Sequence, residues 1–311
     1  MKKLLTIATR DSLLALWQAE WVKAQILKNF PGVEVRLEKI KTQGDKILDT
    51  PLSKIGGKGL FVKELEVAML EGRADIAVHS MKDVPAELPE GLEISVITER
   101  ETPDDAFVSN RYKSFKDLPP GAVLGTSSLR RGAQALAARP DLKVESLRGN
   151  VQTRLRKLDE NQFDGIMLAA AGLVRLELQE RIAELMDHQT CLPALCQGIV
   201  GIESRVGDLE TLELITALRH QPTEVVTAAE RGLLKRLNGG CQVPFAGEAI
   251  LLDNGRIKME ALVATPDGTQ VIRLQDEDDQ ANAAQLGLRL AERLLESGAR
   301  EILSALGIET H

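Results

Sequence analysis

A chain of 311 residues exceeds the size of about 250–300 residues at which one hydrophobic core stops growing, so two or three domains are expected. Its composition, 43% hydrophobic and 27% charged, is that of a folded protein and excludes a disordered chain. The formal net charge of −7 excludes broad nucleic-acid binding, which needs a basic surface. An anionic ligand would therefore be bound by a local cluster of basic side chains.

The N-terminus and the cysteines indicate a cytoplasmic protein without a metal. The apolar run from Leu4 ends at Thr9-Arg10-Asp11, too soon for a signal peptide, and no stretch approaches the roughly 20 apolar residues of a membrane span. Three cysteines are an odd number for a disulfide framework. Neither they nor the four histidines have the spacing of zinc ligands, so we expect no metal and no membrane partner.

The first half of the chain repeats one pattern, in which a short apolar strand ends in a turn and a helix follows. It predicts a strand over Leu4–Ala8 and a helix over Leu13–Lys28. Further strands are predicted over Ile76–Val78, Ala122–Gly125 and Val144–Leu147, the last two again followed by helices. Strands that alternate with helices imply parallel sheets, with ligand sites at the carboxyl ends of the strands.

The last ninety residues predict a smaller α+β module. A helix over Thr223–Leu237 ends at the stop signal Asn238-Gly239-Gly240. Hairpin signals then separate three strands, which are predicted over Phe245–Leu252, Ile257–Thr265 and Val271–Leu274. The acidic run Asp276–Asp279 is interpreted as a solvated loop, and two helices close the chain, over Asp279–Ser297 and Ala299–Leu306.

Residues 126–157 form a basic window in this acidic protein, with eight basic and two acidic side chains. Arg130, Arg131 and Arg148 fall at predicted helix starts, where a cation opposes the helix dipole unless an anion docks there. We therefore expect these three to bind an anion, with help from the hydroxyls of the Thr126-Ser127-Ser128 turn. For the remaining members Arg139, Arg156 and Lys157 we favour surface pairing with the protein's own acids.

Two further segments are candidates for chemistry. His79-Ser80-Met81-Lys82-Asp83 follows a predicted buried strand, and a carboxylate beside a lysine either stabilises a cationic intermediate or forms a plain surface ion pair. Cys241 follows two glycines in an irregular turn, where its thiol would be accessible, although burial is the more usual state of a cysteine. His79, Cys191 and Cys196 are interpreted as structural residues.

Together these motifs resemble the hydroxymethylbilane synthase (porphobilinogen deaminase) family of haem biosynthesis over nearly the whole chain. The resemblance rests on motifs that occur in the family's order: Thr9-Arg10-x-Ser12, Gly56-Gly57-Lys58-Gly59-Leu60-Phe61, Ala77 to Pro85, Gly125 to Arg131, Leu147-Arg148-Gly149-Asn150, Glu230-Arg231 and Gly239 to Pro244. It implies a monomeric transferase that joins four porphobilinogen molecules head to tail, with loss of ammonia, and then releases a linear tetrapyrrole by hydrolysis.

The resemblance also implies roles for single residues. A dipyrromethane cofactor would be attached through a thioether to Cys241, and Asp83 would contact pyrrole N–H groups and stabilise the azafulvene cation. The cofactor would be bound by Ser80, Lys82, Thr126, Ser128, Arg130, Arg131, Arg148 and Gly149. The substrate would be bound by Arg10, Gln18, Arg148, Arg154, Arg175 and Gln197, under a mobile loop that carries Lys54 and Lys58.

The implied architecture is two α/β domains similar to periplasmic binding proteins and a smaller α+β domain with a three-stranded antiparallel sheet. The corresponding residues are 1–98 with 199–216, then 104–192, then 221–311. One departure lies at the crossover between the first two, where the family's Gly-Gln-Gly-Ala is replaced by Cys196-Gln197-Gly198-Ile199. A cysteine does not readily adopt a positive φ, so the crossover geometry is in question.

Two alternatives belong to other classes. A non-catalytic binding module of the periplasmic type would sense a small anion and would have no use for a modified thiol. A thiol-based transferase would form only a transient adduct at Cys241 and would lack a permanent cofactor. The mass of the purified protein separates both from a cofactor-bearing enzyme.

Overall fold

The computed structural model describes residues 2–46, 59–237 and 243–308. The described strands are β1 (Leu4–Arg10), β2 (Glu34–Ile40), β3 (Ile76–Ser80), β4 (Leu92–Ile97), β5 (Asp105–Val108), β6 (Val123–Gly125), β7 (Lys143–Glu145), β8 (Gly165–Ala169), β9 (Glu184–Leu185), β10 (Val200–Arg205), β11 (Phe245–Leu251), β12 (Arg256–Ala264) and β13 (Val271–Asp279). The described α-helices are α1 (Leu13–Asn29), α2 (Gln43–Lys46), α3 (Lys63–Leu70), α4 (Leu129–Ala138), α5 (Val151–Asp159), α6 (Ala170–Arg175), α7 (Leu209–Ile215), α8 (Gln221–Arg236), α9 (Ala283–Leu294) and α10 (Arg300–Ala305). Short 3₁₀ turns include Met81–Asp83 directly after β3.

Two five-stranded sheets form the first two thirds of the fold. The first has the order β2-β1-β3-β10-β4, and the second has the order β7-β6-β8-β5-β9. Each sheet has a parallel core, but β10 is antiparallel to β3 and β4, and β5 is antiparallel to β8 and β9. The parallel pairing predicted from the alternation of strands and helices holds for part of each sheet, and each sheet also includes one strand that arrives by a crossover from the other half of the chain.

The crossover is a pair of segments that run side by side between the two sheets. The backbone N–H of Thr98 donates to the carbonyl of Val200 at 3.1 Å, and that of Glu101 donates to the carbonyl of Gly198 at 3.1 Å. Strand β10 returns to the first sheet, as the proposed grouping of residues 199–216 with residues 1–98 requires. The domain boundaries themselves remain predictions.

The third sheet is the antiparallel sheet β11-β12-β13, which confirms the predicted α+β module. Helices α8 and α9 cover it and pack tightly on each other, since a Cβ on Gly287 would lie 1.9 Å from the Ala229 carbonyl oxygen. The loop predicted over Asp276–Asp279 is wrong, because these residues continue β13 and pair with β12 up to Arg256. Arg289 on α9 donates to Asp276 and Asp278 at 2.8 Å each, which stabilises the acidic edge.

The helices that hold the site begin at side-chain caps. Ser12 caps α1, Ser128 caps α4 and Asn150 caps α5, each by accepting a hydrogen bond from a backbone N–H of the first turn. Three predicted helices therefore start where the turn residues indicated, each at the end of the strand before it. Within the described residues, no helix is both long and apolar enough to cross a bilayer.

Candidate active site

A cavity of about 1550 Å³ lies between the two α/β sheets and reaches the third unit. Ten of the predicted site residues line it: Arg10, Lys82, Asp83, Ser128, Arg130, Arg131, Arg148, Gly149, Arg154 and Gln197. Four predicted residues lie outside this lining: Gln18, Ser80, Thr126 and Arg175. Cys241, Lys54 and Lys58 lie outside the described residues.

Arg130 and Arg131 are held at the cavity edge by one buried carboxylate. Asp105 has no exposed surface and accepts from Arg130 Nη1 at 2.5 Å and from Arg131 Nη2 at 2.7 Å. Burial alone would raise the pKa of Asp105, but the charges and hydrogen bonds of the two arginines outweigh it and hold this pKa far below its usual range. Two cations against one anion leave a net positive charge at the start of α4.

Arg148 and Arg154 place two further guanidinium groups in the cavity lining. Arg148 Nη1 is buried and has no hydrogen-bond partner among the described residues. Arg154 Nε donates to the carbonyl oxygen of Gly149 at 2.8 Å. Burial and the nearby charge of Arg131 lower the pKa of Arg154 to about 10. An anion bound between these guanidinium groups would satisfy the orphaned donor and relieve the repulsion.

Gly149 allows the chain to bring Arg148 and Arg154 together. Its φ is +116°, and a Cβ there would lie 2.6 Å from a methyl carbon of Thr153. The sequence Arg148-Gly149-Asn150 therefore combines a cation, a turn that favours glycine and the helix cap Asn150.

Lys82 and Asp83 lie in the 3₁₀ turn that follows β3, on the opposite wall of the cavity. Lys82 Nζ donates to Gln197 Oε1 at 3.2 Å. Burial and the charge of Arg131 lower the pKa of Lys82 to about 8, while the charge of Asp83 opposes this shift. Asp83 also acts on Arg154 across the cavity, so its carboxylate lies in the field of cations from both sheets.

Gln197 joins the two walls at the crossover. Its Nε2 donates to Asp105 Oδ1 at 3.0 Å, and its Oε1 accepts from Lys82 and, at 3.4 Å, from Arg131. It is almost fully buried. This geometry makes Gln197 a link between Lys82 and the arginine cluster, in addition to its predicted contact with substrate.

The predicted hydroxyl and amide groups form a layer of internal hydrogen bonds. Gln18 Nε2 donates to Ser80 Oγ at 2.9 Å, which ties α1 to the end of β3. Thr126 Oγ1 accepts from the backbone N–H of Ser128 at 3.2 Å, and Ser128 caps α4. These contacts explain how the turns are shaped.

Two of the predicted substrate-binding arginines have internal partners. Arg10 forms an ion pair with Asp45, and its guanidinium lies 4.3 Å from the centroid of the Phe61 ring. Arg175 Nη2 donates to the carbonyl of Gly198 at 2.7 Å. Arg10 lines the cavity, whereas Arg175 is buried beside the crossover.

Among the residues interpreted as surface charges, Arg139 pairs with Asp141 at 2.7 Å and Arg156 pairs with Glu160 at 2.8 Å, as expected. Lys157, by contrast, lines the cavity, so its expected place outside the cleft is wrong. His79 Nε2 lies 2.8 Å from Glu203 Oε2 in the buried first sheet, which confirms the structural role expected for this histidine.

Cys196 adopts a left-handed conformation with φ +59°, although a cysteine favours other regions. Its backbone N–H donates to the fully buried Glu230 on α8, and its side chain packs with Met81 and Val84. The crossover thus keeps a geometry that suits glycine, and tertiary contacts hold the cysteine in it. Burial raises the pKa of the Cys196 thiol well above its usual value, so this thiol is neutral.

Sequence reasoning missed three acids that join distant parts of the chain. Asp105 is one, and Glu230 is another, since it also accepts from Arg100 Nη1 at 2.7 Å and from the Ala249 N–H at 2.9 Å. The third, Glu248 on β11, lies 2.9 Å from His188 Nδ1, whose Nε2 lies 2.7 Å from Asp104. Each acts across a distance of 19 residues or more in the chain, where no local pattern indicates a partner.

The third unit contributes apolar side chains to the cavity lining, and two of them flank residues 238–242 in the sequence, where the cofactor turn is predicted. Leu234 precedes these residues and Val243 follows them, and both line the cavity. Within the described residues, no cluster of acids, histidines and cysteines is suited to hold a metal ion.

Fold and site together define a class of protein: two α/β units and a third unit enclose a cationic cleft for a ligand with several carboxylates. A match to the family model of the porphobilinogen deaminase dipyrromethane cofactor binding domain covers residues 5–213, and a match to the porphobilinogen deaminase C-terminal domain covers residues 225–296. The chain belongs to the porphobilinogen deaminase (hydroxymethylbilane synthase) family. This is a family of transferases that act on porphobilinogen, and the first matched domain is the one that binds dipyrromethane.

Solved structures with a similar chain fold include two methionine-binding proteins. A putative methionine-binding lipoprotein from Bacillus subtilis is 12% identical, with 70% of this chain and 90% of that chain covered and a TM-score of 0.44. The methionine binding protein MetQ is 13% identical, with 70% and 89% covered and a TM-score of 0.46. Similarity of this degree concerns the fold alone.

The described residues fit a dipyrromethane. Each of its two pyrrole rings carries an acetate and a propionate, so the group presents carboxylates on several sides. The orphaned donor of Arg148 and the mutually repelling cations Lys82, Arg131 and Arg154 are what such a ligand would satisfy.

Proposed function

We propose that this chain condenses four porphobilinogen molecules, one at a time, on a dipyrromethane attached to Cys241, and then releases the linear tetrapyrrole by hydrolysis. The observation that carries the proposal is the common cavity that brings together Asp83, cations from both α/β sheets and the residues flanking the cysteine turn. When bound, the dipyrromethane supplies the nucleophilic pyrrole carbon to which the first substrate is joined.

The cations bind and orient the carboxylates of the pyrroles. Arg148 and Arg154 lie at the start of α5, and Lys82 lies after β3 of the other sheet, so a ligand held by all three has a defined orientation. Arg130 and Arg131 add positive charge through the Asp105 cluster, and Ser128 contributes a hydroxyl at the start of α4. Binding of this kind places the reacting carbons near each other before ammonia leaves.

Asp83 acts at the reacting carbon. Loss of ammonia from the side chain of porphobilinogen leaves positive charge on the substrate's methylene carbon and ring nitrogen. A carboxylate that is positioned beforehand stabilises that charge, and it accepts a hydrogen bond from the pyrrole N–H.

The roles of Arg10, Gln18, Ser80 and Arg175 in substrate binding stay proposals, as do those of Lys54 and Lys58 in a loop over the cleft. Arg10 would have to exchange Asp45 for a substrate carboxylate, and Gln18 and Ser80 would act by holding the Lys82–Asp83 turn. We also propose that the enzyme acts in the cytoplasm as a monomer without nucleic acid. Sedimentation of the purified protein tests the monomer.

The proposed reaction is tested by incubating the purified protein with porphobilinogen. We expect four ammonia molecules and four substrate molecules to be accounted for by each tetrapyrrole released. Arg156→Gln, which alters an exposed pair with Glu160, serves as the matched control and should retain full turnover. A protein that binds porphobilinogen and releases no ammonia would support a non-catalytic binding module instead.

A further inference from the structure

Helix α8 of the third unit sends an arginine into the turn that follows Asp83. Arg231 Nη2 donates to the carbonyl oxygen of Pro85 at 2.9 Å and to that of Ala86 at 3.2 Å. These carbonyls are two and three residues after Asp83 in the chain. A guanidinium bound to two successive carbonyls fixes both the position and the direction of that backbone.

Arg231 is held in place at some cost. Its Nη1 is buried and has no hydrogen-bond partner among the described residues, and burial lowers the pKa of its guanidinium. A buried donor without a partner destabilises the folded protein, so packing alone would favour an apolar residue here. The arginine therefore serves the contact that its other nitrogen makes with the Pro85–Ala86 backbone.

The turn is also fixed on its other faces. Val84 packs in a buried cluster with Met81 and Cys196 of the crossover, and the N–H of Met81 donates to the carbonyl of Ile199 at 3.0 Å. Ala86 packs against the core of the third unit. Asp83 thus lies between a turn anchored to the crossover and a turn anchored to α8.

Helix α8 links this anchor to the residues proposed to carry the cofactor. It ends at Arg236, five residues before Cys241, and Leu234 on its last turn lines the cavity. We propose that Arg231 is a positioning residue for Asp83, which it acts on by tying the turn after Asp83 to α8, the helix that precedes Cys241 in the chain. This proposal rests on the proposed function.

The test compares Arg231→Met and Arg231→Lys with the control Arg219→Gln. Arg219 lies just before the same helix and makes an exposed ion pair with Glu224 at 2.7 Å. In Arg231→Met we expect faster amide hydrogen exchange in residues 81–90, whereas the control should exchange at the wild-type rate. The mass of the intact variant should show that the cofactor is still attached. Turnover at saturation should fall about 10- to 100-fold with KM within about threefold, since the ligand-binding cations are untouched. Arg231→Lys should show a smaller loss of turnover and a smaller increase in exchange, because an ammonium still donates to a carbonyl but does not fix the direction of the backbone as the guanidinium does.

A second arm separates positioning from general stability. In an Asp83→Ala background, Arg231→Met should reduce residual turnover less than about twofold, because residues that act as one unit are not additive. A full further reduction in that background would overturn the proposal, as would unchanged exchange and turnover in the single variant. If Arg231→Met does not fold, amide hydrogen exchange in residues 81–90 of Arg231→Lys is the deciding measurement. Faster exchange than in the wild type is expected, and unchanged exchange would overturn the proposal. Failure of the wild type to consume porphobilinogen would instead refute the proposed function.

Discussion

Replacing Arg148 by methionine should make the cofactor-free protein more stable while abolishing its ability to bind a cofactor. Arg148 Nη1 is buried without a hydrogen-bond partner among the described residues, and the charge of Arg148 also helps to lower the pKa of Arg154. An unsatisfied buried donor costs about 1–3 kcal/mol. Methionine keeps most of the aliphatic stem, so we expect a gain of about 1–2 kcal/mol, allowing for some lost packing.

The assay is thermal unfolding by circular dichroism in a Cys241→Ala background, in which no covalent cofactor forms. A gain of this size corresponds to an increase in Tm of about 2–8 °C for a protein of this class. Arg156→Met, which removes an exposed arginine from its pair with Glu160, serves as the control and should change the free energy of unfolding by less than about 0.5 kcal/mol. With Cys241 present, Arg148→Met should show no added mass.

A loss of stability in Arg148→Met would refute this reasoning. It would mean that the guanidinium of Arg148 stabilises the cofactor-free protein, instead of destabilising it until a ligand binds. Normal cofactor loading by the variant would refute the second half independently. Stability is measured in the Cys241→Ala background and loading with Cys241 present, so a folding defect is recognised before loading is judged.

Three further changes test the catalytic and structural residues. Asp83→Ala should fold normally and reduce turnover about 10²–10⁴-fold, and near-normal steady-state turnover would remove this residue from the mechanism. Asp105→Asn leaves Arg130 and Arg131 buried without a counter-charge, so urea unfolding should show a loss of about 3–5 kcal/mol; a loss below about 1 kcal/mol would contradict the assigned ion pairs. The hydrogen bond to Glu248 raises the pKa of His188 from 6.5 to about 9, aided by the one to Asp104 and opposed by burial. After allowance for partial exposure, the free energy of unfolding of the wild type should therefore exceed that of His188→Gln by about 1–2 kcal/mol below pH 6.5. This difference should disappear as the pH rises through 9, and a difference independent of pH would contradict the assigned hydrogen bonds.

Local patterns were sufficient to predict most elements of the fold. The caps Ser12, Ser128 and Asn150 begin helices where the turns indicated, and hairpin signals separate the three strands of the last unit. Helix α1, predicted over Leu13–Lys28, spans Leu13–Asn29. These features depend on residues a few positions apart, which a sequence shows directly.

The errors arose where distant strands meet. The acidic residues 276–279 look like a loop until β12 pairs with them and Arg289 neutralises them. The antiparallel strands β5 and β10 owe their direction to the crossover, which no local periodicity reveals. A strand's partners are set by chain segments a hundred residues away, so their identity is a property of the folded molecule.

The site shows the same division. The sequence pattern predicted Arg130 and Arg131 at a helix start, and only the acids within the basic window were weighed against them. The negative charge of Asp105, which balances them, lies outside that window and was not predicted. Strand β5, through its pairing with β8, brings Asp105 beneath α4 from outside that window. Gln197 was predicted as a substrate ligand, but its links to Lys82 and Asp105 appear only when the crossover is folded.

The cofactor on Cys241 is the claim on which the whole account depends, and the mass of the intact protein tests it most directly. Denatured wild-type protein should be heavier than its 311-residue sequence by the mass of one dipyrromethane, and Cys241→Ala should have the mass of the sequence alone. Cys191→Ala, which changes a buried thiol, should keep the added mass if it folds. An unmodified mass in protein that actively converts porphobilinogen would contradict the account.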